Sequence, residues 1–132
     1  MVTEIQKKTL LQEACAVRER AYAPYSEYKV GAAILTGDGR IITGVNVENA
    51  SYGLSICAER SAIFTAVAEG VREIVAVAIC TSNVGSPCGA CRQVMVEFAG
   101  DMPILLTDTQ GNARETTLHK LIPEYFGPGH LA

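Results

Sequence analysis

Apolar and polar residues alternate along this chain in patterns that predict a succession of helices and strands. Near the start, apolar positions recur every three or four residues, which is the spacing of one helix face. These positions are Leu10, Ala14, Val17 and Ala21. They predict a first helix over residues 3–20. Residues 28–36 and 40–47 follow as two strands, and the Gly-Asp-Gly turn between them predicts a hairpin.

The second half of the chain contains the more apolar elements. Residues 57–69 are rich in alanine and end before Gly70, which predicts a well-buried helix with a glycine stop. The continuous β-branched run over residues 73–80 is typical of an interior strand covered on both faces. Further elements are predicted as a helix over 88–99, a strand over 103–107, a short strand over 113–116 and a short helix over 117–122.

This order of elements predicts an α/β fold. We expect a three-layer α/β/α arrangement with a mixed sheet of four to five strands. A length of 132 residues, with 48% of them apolar, suits a single domain over residues 1–132. The mean hydropathy of +0.19 is high for a small monomer. It indicates apolar surface buried between subunits, although a larger core would give the same value.

Charge and cysteine content narrow the possible functions. A net charge of −3 without a basic block argues against nucleic-acid binding through phosphate contacts. The longest apolar run is far shorter than the roughly twenty residues of a spanning helix, so no membrane partner is expected. We also see no secretory signal pattern and expect a cytoplasmic protein with reduced thiols. Five cysteines, an odd number, favour metal binding or catalysis over a disulfide framework.

Three cysteines are placed where a catalytic metal can be expected. Cys57 lies near the start of one predicted helix, and Cys88 and Cys91 lie near the start of another. Helix N-termini and a nearby cation favour the thiolate form that binds metals. Three protein ligands leave one tetrahedral corner of Zn²⁺ for water, as in catalytic zinc sites. The predicted cofactor is therefore one Zn²⁺ per chain.

Residues beside these cysteines supply the other groups that such a site needs. Glu59 is close enough to Cys57 to exchange a proton with a water molecule on the metal. Zinc with three thiolates carries a net negative charge, which a local cation must offset. Arg60 is the candidate cation, and Gln93 is predicted to hold it in place.

Four stretches make the chain similar to the small zinc-dependent cytidine deaminases over nearly its whole length. In chain order they are YAPYSEYKVGAA, GVNVENASYG, CAERSAIFTAV and SPCGACRQV. Cys-Ala-Glu followed about thirty residues later by Pro-Cys-x-x-Cys is a signature of zinc deaminases in general. The resemblance implies a cytidine deaminase-like fold. It also implies hydrolysis of cytidine and 2′-deoxycytidine to uridine and 2′-deoxyuridine, with release of ammonia, in pyrimidine salvage.

The resemblance also implies roles for residues around the base. An activated water attacks C4 of the cytosine, while Glu59 passes a proton to N3 and then to the leaving amine. A carbonyl near Ser86 and Pro87 receives the amino group. The backbone amide of Ala58 holds the carbonyl of the pyrimidine.

Sugar contacts and cross-subunit contacts are implied in the same way. Asn46 and Glu48 are two residues apart at a strand end, so they face the same side, and they are expected to bind the ribose. Tyr28 stands where relatives commonly have phenylalanine beside the base, and its hydroxyl needs a partner. Tyr52 and Phe126 match aromatics that complete a neighbour's site, which implies a homotetramer with shared active sites.

Other interpretations remain open at this point. Cys88 and Cys91 alone could form a thiol–disulfide pair in a thioredoxin-like layout, although Cys57 and Glu59 would then have no role. A structural zinc module would need His119 or His130 as a fourth ligand. Among deaminases, an enzyme for aminonucleosides such as blasticidin S shares the same core motifs. The two remaining cysteines, Cys15 and Cys80, are interpreted as small core residues.

Overall fold

The computed structural model describes residues 1–131, in which five strands form one mixed sheet. The strands are β1 (Gly31–Thr36), β2 (Ile41–Val45), β3 (Ile74–Cys80), β4 (Pro103–Thr107) and β5 (Ala113–Thr117). Their order across the sheet is β2-β1-β3-β4-β5. The central pair β3 and β4 runs parallel, while the pairs toward both edges are antiparallel.

Helices cover both faces of this sheet. They are α1 (Glu4–Arg18), α2 (Ala58–Ala68), α3 (Gly89–Phe98) and α4 (Leu118–Leu121), with single 3₁₀ turns at Tyr52–Leu54 and Pro128–His130. One core cluster joins α1 to one face of the sheet, and a larger cluster joins α2, α3 and α4 to the other. The predicted three-layer α/β/α fold with a mixed sheet is therefore confirmed.

The apolar side chains of strand β3 pack against helices on both faces of the sheet. Ala76, Ala78 and Cys80 face the α1 layer, whereas Val77 and Ile79 face α2 and α3. Successive side chains of a strand point to opposite faces, so an interior strand must be apolar throughout. The small side chains on the α1 side let that helix pack close to the sheet.

The hairpin strands are shorter than the sequence pattern predicts. β1 begins at Gly31 and not at residue 28, and β2 ends at Val45 and not at residue 47. The amide side chain of Asn46 explains the difference, because it accepts from Val30 N at 2.9 Å and donates to Tyr28 O at 2.8 Å. Side-chain bonds thus replace ladder bonds at the end of the hairpin.

Among the described residues 1–131, no helix is both long enough and apolar enough to cross a membrane.

Helix α2 lies very close to the edge strand β2. A Cβ atom added to Gly44 would approach Ala62 N to 2.5 Å and Ala58 O to 2.6 Å. Both of these atoms are backbone atoms of the helix, so no side chain can move aside to make room. Gly44 therefore sets the separation between the sheet and the N-terminal half of α2.

Replacing Gly44 with alanine should destabilise the protein. Alanine suits a strand interior better than glycine does, so any loss of stability must come from overlap with α2. We expect this overlap to lower the free energy of unfolding by about 1–3 kcal/mol. Urea unfolding monitored by circular dichroism measures this change in the free energy of unfolding. Gly100→Ala is the control, because a Cβ there meets open space. Equal unfolding midpoints for the two variants would contradict this account of the α2 packing.

Candidate metal centre and adjoining pocket

Two helix N-termini bring three cysteine sulfurs together beyond the carboxyl end of β3. Cys57 is the N-cap residue of α2, Cys88 is the N-cap residue of α3, and Cys91 lies in the first turn of α3. Their Sγ atoms all lie within 4.8 Å of one another. The structure thus brings together the three cysteines that the sequence predicts as ligands.

The spacing of the sulfurs fits a zinc ion. Zn–S bonds of about 2.3 Å at tetrahedral angles place neighbouring sulfurs about 3.8 Å apart. Cys57 Sγ and Cys88 Sγ are 3.8 Å apart, and Cys88 Sγ and Cys91 Sγ are 3.3 Å apart. Only small side-chain movements separate this arrangement from three corners of a zinc tetrahedron.

Hydrogen bonding within the cluster already favours one thiolate. A hydrogen bond from the Cys91 thiol lowers the pKa of Cys57 to about 5, with Arg60 and Cys88 contributing in the same direction. The same bond, together with burial, raises the pKa of Cys91. Cys57 is therefore the sulfur most ready to bind a cation, and Cys91 must release a proton when it becomes a ligand.

Arg60 lies against the cluster from the next position on the same helix face. Its Nη2 donates to Cys57 Sγ at 3.3 Å, and this contact raises the pKa of the guanidinium. Its Nε is buried and has no hydrogen-bond partner among residues 1–131. The side chain thus carries a positive charge and a spare donor at the sulfurs, as the sequence predicts.

Glu59 is a buried carboxyl group beside the sulfurs. Only 4% of the residue is exposed. Burial raises the pKa of its carboxyl group, and the nearby Cys57 charge acts in the same direction. A carboxyl group with a raised pKa is suited to taking up and returning a proton near neutral pH.

A pocket of about 410 Å³ opens in front of these groups. This is the size range of small-ligand sites. The predicted site residues that line it are Tyr28, Asn46, Glu48, Cys57, Glu59, Arg60, Ser86 and Cys88. Six further residues that the sequence does not single out also line it, which are Ser26, Val30, Ser55, Ile56, Ile79 and Thr81. They carry no charge, and although Ser26 and Val30 lie in the stretch YAPYSEYKVGAA, only their position in the fold reveals their place in the pocket.

Asn46 and Glu48 lie at one end of the pocket. Oε1 of Glu48 accepts from Tyr25 N at 2.9 Å and Ser26 N at 3.1 Å, and Oε2 accepts from the Ser26 hydroxyl. These bonds lower the pKa of the Glu48 carboxyl group, and the bond from the Ser26 hydroxyl has the largest effect. Glu48 is thus an ionised acceptor held in place by the backbone, and one lone pair of Oε2 remains for a ligand hydroxyl.

The phenol of Tyr28 has a partner in the loop before the Pro-Cys-x-x-Cys motif. Its hydroxyl donates to Oδ1 of Asn83 at 2.7 Å. The sequence indicates that this hydroxyl needs a partner, but no pattern in it points to Asn83.

Arg92 is a further residue that the sequence analysis missed. Its guanidinium donates to Pro87 O at 2.7 Å, to Leu121 O at 2.6 Å and to the Ser86 hydroxyl at 3.1 Å. It therefore fixes the segment just before Cys88. The signal in the sequence that could have identified Arg92 is a cationic residue directly after Cys91. Because Arg92 occupies the Pro87 carbonyl, the Ser86 carbonyl is the freer acceptor for an amino group.

Several predicted residues lie outside the lining of this pocket. Ala58 is fully buried as the first residue of α2, where backbone amides have no partner within the helix. Tyr52 borders an adjoining depression of about 320 Å³ that shares Glu48 with the pocket. Phe126 is 57% exposed and stacks on His130.

Gln93 does not hydrogen-bond to Arg60 in the part of the chain that the structure describes. Its Nε2 donates instead to Phe126 O at 2.7 Å. Gln93 extends from α3 toward the C-terminal segment, so it positions Phe126. The predicted Gln93–Arg60 contact is therefore replaced by a contact with the C-terminal segment.

The two histidines lie away from the sulfurs. The His119 ring packs 5.4 Å from Tyr125, and the His130 ring packs 5.2 Å from Phe126. The metal cluster found within residues 1–131 contains neither of them. A closed structural zinc site with a histidine ligand therefore has no support in the geometry. The third sulfur likewise disfavours a simple dithiol pair.

A larger depression of about 570 Å³ lies at the opposite end of the sheet, where β3 and β4 begin. Its charged lining residues are Lys7, Glu73 and Asp101. The sulfur cluster and the buried carboxyl group are both at the other end, so the chemistry belongs to the smaller pocket.

Comparisons with known proteins agree with this geometry. The model of the cytidine and deoxycytidylate deaminase zinc-binding region matches residues 4–106. A cytidine deaminase of Sporosarcina psychrophila is 48% identical, with 93% of each chain covered. A crystal structure of cytidine deaminase from Burkholderia pseudomallei is 49% identical, with a TM-score of 0.86, and covers 90% of this chain and 98% of that one. A crystal structure of cytidine deaminase from Mycobacterium leprae is 43% identical, with a TM-score of 0.80. It covers 92% of this chain and 100% of that one.

The family match and the sulfur cluster together confirm the expected zinc cofactor. The matching family region is a zinc-binding one, and the three sulfurs of this chain are arranged to hold an ion.

Replacing Cys88 with serine should abolish zinc binding. The change removes one of three thiolates and leaves a weakly coordinating hydroxyl. Elemental analysis of purified protein should give close to one zinc per chain for the wild type and close to none for the variant. Cys15→Ser is the control, because Cys15 contacts Cys80 on the α1 side of the sheet. Stoichiometric zinc in Cys88→Ser would contradict the ligand assignment.

Proposed function

The chain belongs to the cytidine and deoxycytidylate deaminase family, and we propose that it hydrolyses cytidine and 2′-deoxycytidine to uridine and 2′-deoxyuridine with release of ammonia. One observation carries this proposal. The three-sulfur cluster, through Cys57 and Cys88, and the buried Glu59 carboxyl group lie at a single pocket of small-ligand size. A metal site with an adjacent proton carrier is what hydrolytic deamination requires.

The residues around the base divide the work of the reaction. Zinc, when bound by Cys57, Cys88 and Cys91, supplies the Lewis acidity that activates water for attack on C4. Glu59 takes up one proton from this water and gives it to N3, and it then carries the second proton of the same water to the amine, which leaves as ammonia while C4 becomes a carbonyl. The amide of Ala58 donates to the pyrimidine carbonyl.

The leaving amine is received at the loop before α3. The Ser86 carbonyl accepts its hydrogen atoms, and Arg92 holds the loop through the neighbouring Pro87 carbonyl and the Ser86 hydroxyl. Arg60 offsets the negative charge of the thiolates through its bond to Cys57, so the metal remains an effective Lewis acid.

The other end of the pocket recognises the sugar. Glu48 accepts a hydrogen bond from a ribose hydroxyl through its free lone pair, and Asn46 adds an amide group whose orientation is fixed by Val30 and Tyr28. Tyr28 packs its ring beside the base. A free nucleoside suits this pocket, and the acidic chain does not suit a nucleic acid or a membrane surface.

We further propose that the active protein is a homotetramer in which subunits share active sites. Large apolar side chains are exposed to an unusual degree for a small chain, including Tyr52 at 76%, Leu54 at 70%, Phe126 at 57% and Tyr22 at 56%. Tyr52 also packs against the half-exposed Tyr25, with 6.0 Å between the ring centroids, and exposed apolar patches mark interaction surfaces. Tyr52 adjoins the sugar end of the pocket, so a partner that covers it also reaches the substrate.

The remaining proposals concern the setting of the reaction. One sheet holds all five strands, which supports a single domain over residues 1–132. Five free cysteines, three of them ligands, suit the reducing cytoplasm. Conversion of cytidine and 2′-deoxycytidine there serves pyrimidine salvage.

A substrate panel tests the proposed function. The zinc-loaded protein should deaminate cytidine and 2′-deoxycytidine, followed as the loss of cytosine absorbance, with little or no activity on cytosine, dCMP or blasticidin S. Free cytosine lacks the sugar that Glu48 and Asn46 bind, and dCMP carries a phosphate for which the pocket lining offers Arg60 alone as a cation. Activity on blasticidin S but not on cytidine would overturn the substrate assignment.

Glu59→Gln is the matched test of the proton carrier. The variant keeps the shape of the side chain, so zinc content should stay close to one per chain while kcat falls by at least roughly 10²–10⁴-fold. Glu69→Gln is the control, because Glu69 lies at the exposed end of the same helix and, among residues 1–131, forms an ion pair with Arg40 alone. Retained turnover in Glu59→Gln would show that another group moves the proton.

Mixing two variants tests the shared sites. Phe126→Ala should raise KM for cytidine several-fold if its ring reaches a neighbour's pocket. When Phe126→Ala and Glu59→Gln subunits are reassembled together, some sites combine an intact Glu59 with an intact Phe126 from the neighbour. These sites should restore a component with the wild-type KM. A mixture that shows only the Phe126→Ala KM would refute the sharing.

A further inference from the structure

Tyr28 is fixed at both ends, which is more than a stacking aromatic requires. Its backbone N–H donates to the Ser26 hydroxyl at 3.0 Å, and its carbonyl accepts from Asn46 Nδ2 at 2.8 Å. Its hydroxyl donates to Asn83 Oδ1 at 2.7 Å. The ring therefore connects the sugar end of the pocket to the loop at residues 81–87, which leads into Cys88.

That loop is folded on itself around one buried hydroxyl. Thr81 is only 2% exposed, and its Oγ1 accepts from Gly85 N at 2.6 Å and lies 3.3 Å from Asn83 Oδ1. Val84 has a φ of 57°, a left-handed conformation that costs a β-branched residue about 1–3 kcal/mol. Contacts around the loop must hold this conformation, and the Tyr28 hydroxyl is one of them.

Gly85 provides the space for the Tyr28 hydroxyl. Gly85 is not one of the positive-φ glycines of residues 1–131, so its backbone conformation does not require glycine. A Cβ atom there would overlap the Tyr28 hydroxyl oxygen, whereas the next neighbours, Thr81 Oγ1 and Asn83 Oδ1, would be 3.2 and 3.4 Å away. A hydroxyl at position 28 and the absence of a side chain at position 85 therefore depend on each other.

We propose that the Tyr28 loop contact, formed by Tyr28, Asn83 and Gly85, sets the position of the aromatic wall against the base, and that Asn83 and Gly85 are positioning residues for substrate binding. The contact joins the ring to the same loop that presents Ser86 to the leaving amine. This proposal rests on the proposed function, since the pocket must bind a pyrimidine for the position of the Tyr28 ring to affect binding. Asn83 and Gly85 act through Tyr28 and touch no reacting atom.

A double-mutant cycle on positions 28 and 85 tests this proposal with the zinc-loaded enzyme. Gly85→Ala should raise KM for cytidine by about tenfold, since small displacements of positioning groups have effects of this size. In the Tyr28→Phe background, the same substitution should raise KM by less than about twofold, since the overlapping oxygen is gone. The kcat of Gly85→Ala should stay within about twofold of the wild type, because the substitution leaves Glu59 and the cysteines in place.

Two substitutions at Asn83 give an independent test. Asn83→Ala removes the acceptor and should raise KM as much as Tyr28→Phe does, with no further increase when both are combined. Asn83→Asp keeps an acceptor oxygen at an exposed position and should restore the wild-type KM. Ser82→Ala is the control in the same loop, since no hydrogen bond of its side chain occurs among residues 1–131.

The outcomes separate the two proposals. An additive cycle, or equal KM values for Asn83→Ala and Asn83→Asp, overturns the Tyr28 loop contact while cytidine deamination by the wild type stands. If Gly85→Ala fails to fold but Gly85→Ala combined with Tyr28→Phe folds and is active, the dependence between the two positions is supported. A wild-type protein that is inactive on cytidine overturns the proposed function itself.

Discussion

The meeting of three sulfurs at two helix N-termini is the constraint on which the rest of the structure depends. Cys57 starts α2, and Cys88 and Cys91 start α3, so the site exists only if both helices begin at the same place. The parallel β3–α3–β4 unit fixes one of these starts, because α3 must pack back onto the sheet after β3 ends. The close approach of α2 to Gly44 fixes the other start.

Charge around this meeting point is balanced over a single helical turn. Cys57 and Arg60 are three residues apart and share one helix face, which lets the guanidinium reach the sulfur. Glu59 lies between them and points into the pocket, where burial raises its pKa. A buried carboxyl group beside thiolates does not help folding. Such a local conflict with folding is expected at functional positions, and it agrees with the proton-carrying role proposed for Glu59.

The sequence predicted the elements and the metal ligands better than it predicted the contacts between loops. Apolar patterns, periodic in the first helix and continuous in the interior strand, locate the main elements because burial follows the geometry of each element. The partners of Tyr28 and Gln93 depend on irregular segments. The Tyr28–Asn83 bond requires the left-handed Val84, and Gln93 meets Phe126 through a C-terminal segment that has little regular structure. No periodic pattern encodes such contacts, so only the folded chain reveals them.

The outer end of the pocket is where the proposed assembly and the proposed substrate binding would meet. At the inner end of the pocket Cys57, Cys88, Glu59 and Arg60 supply the polar groups of the lining, at the N-terminal ends of α2 and α3. At its outer end Glu48 is held by the backbone of residues 25 and 26, and beyond it Tyr52 is largely exposed to solvent. A ligand bound there would remain half-solvated, which weakens its hydrogen bonds to the carboxylate. In the proposed homotetramer, a subunit that covers Tyr52 would remove this water and complete the proposed sugar end of the site.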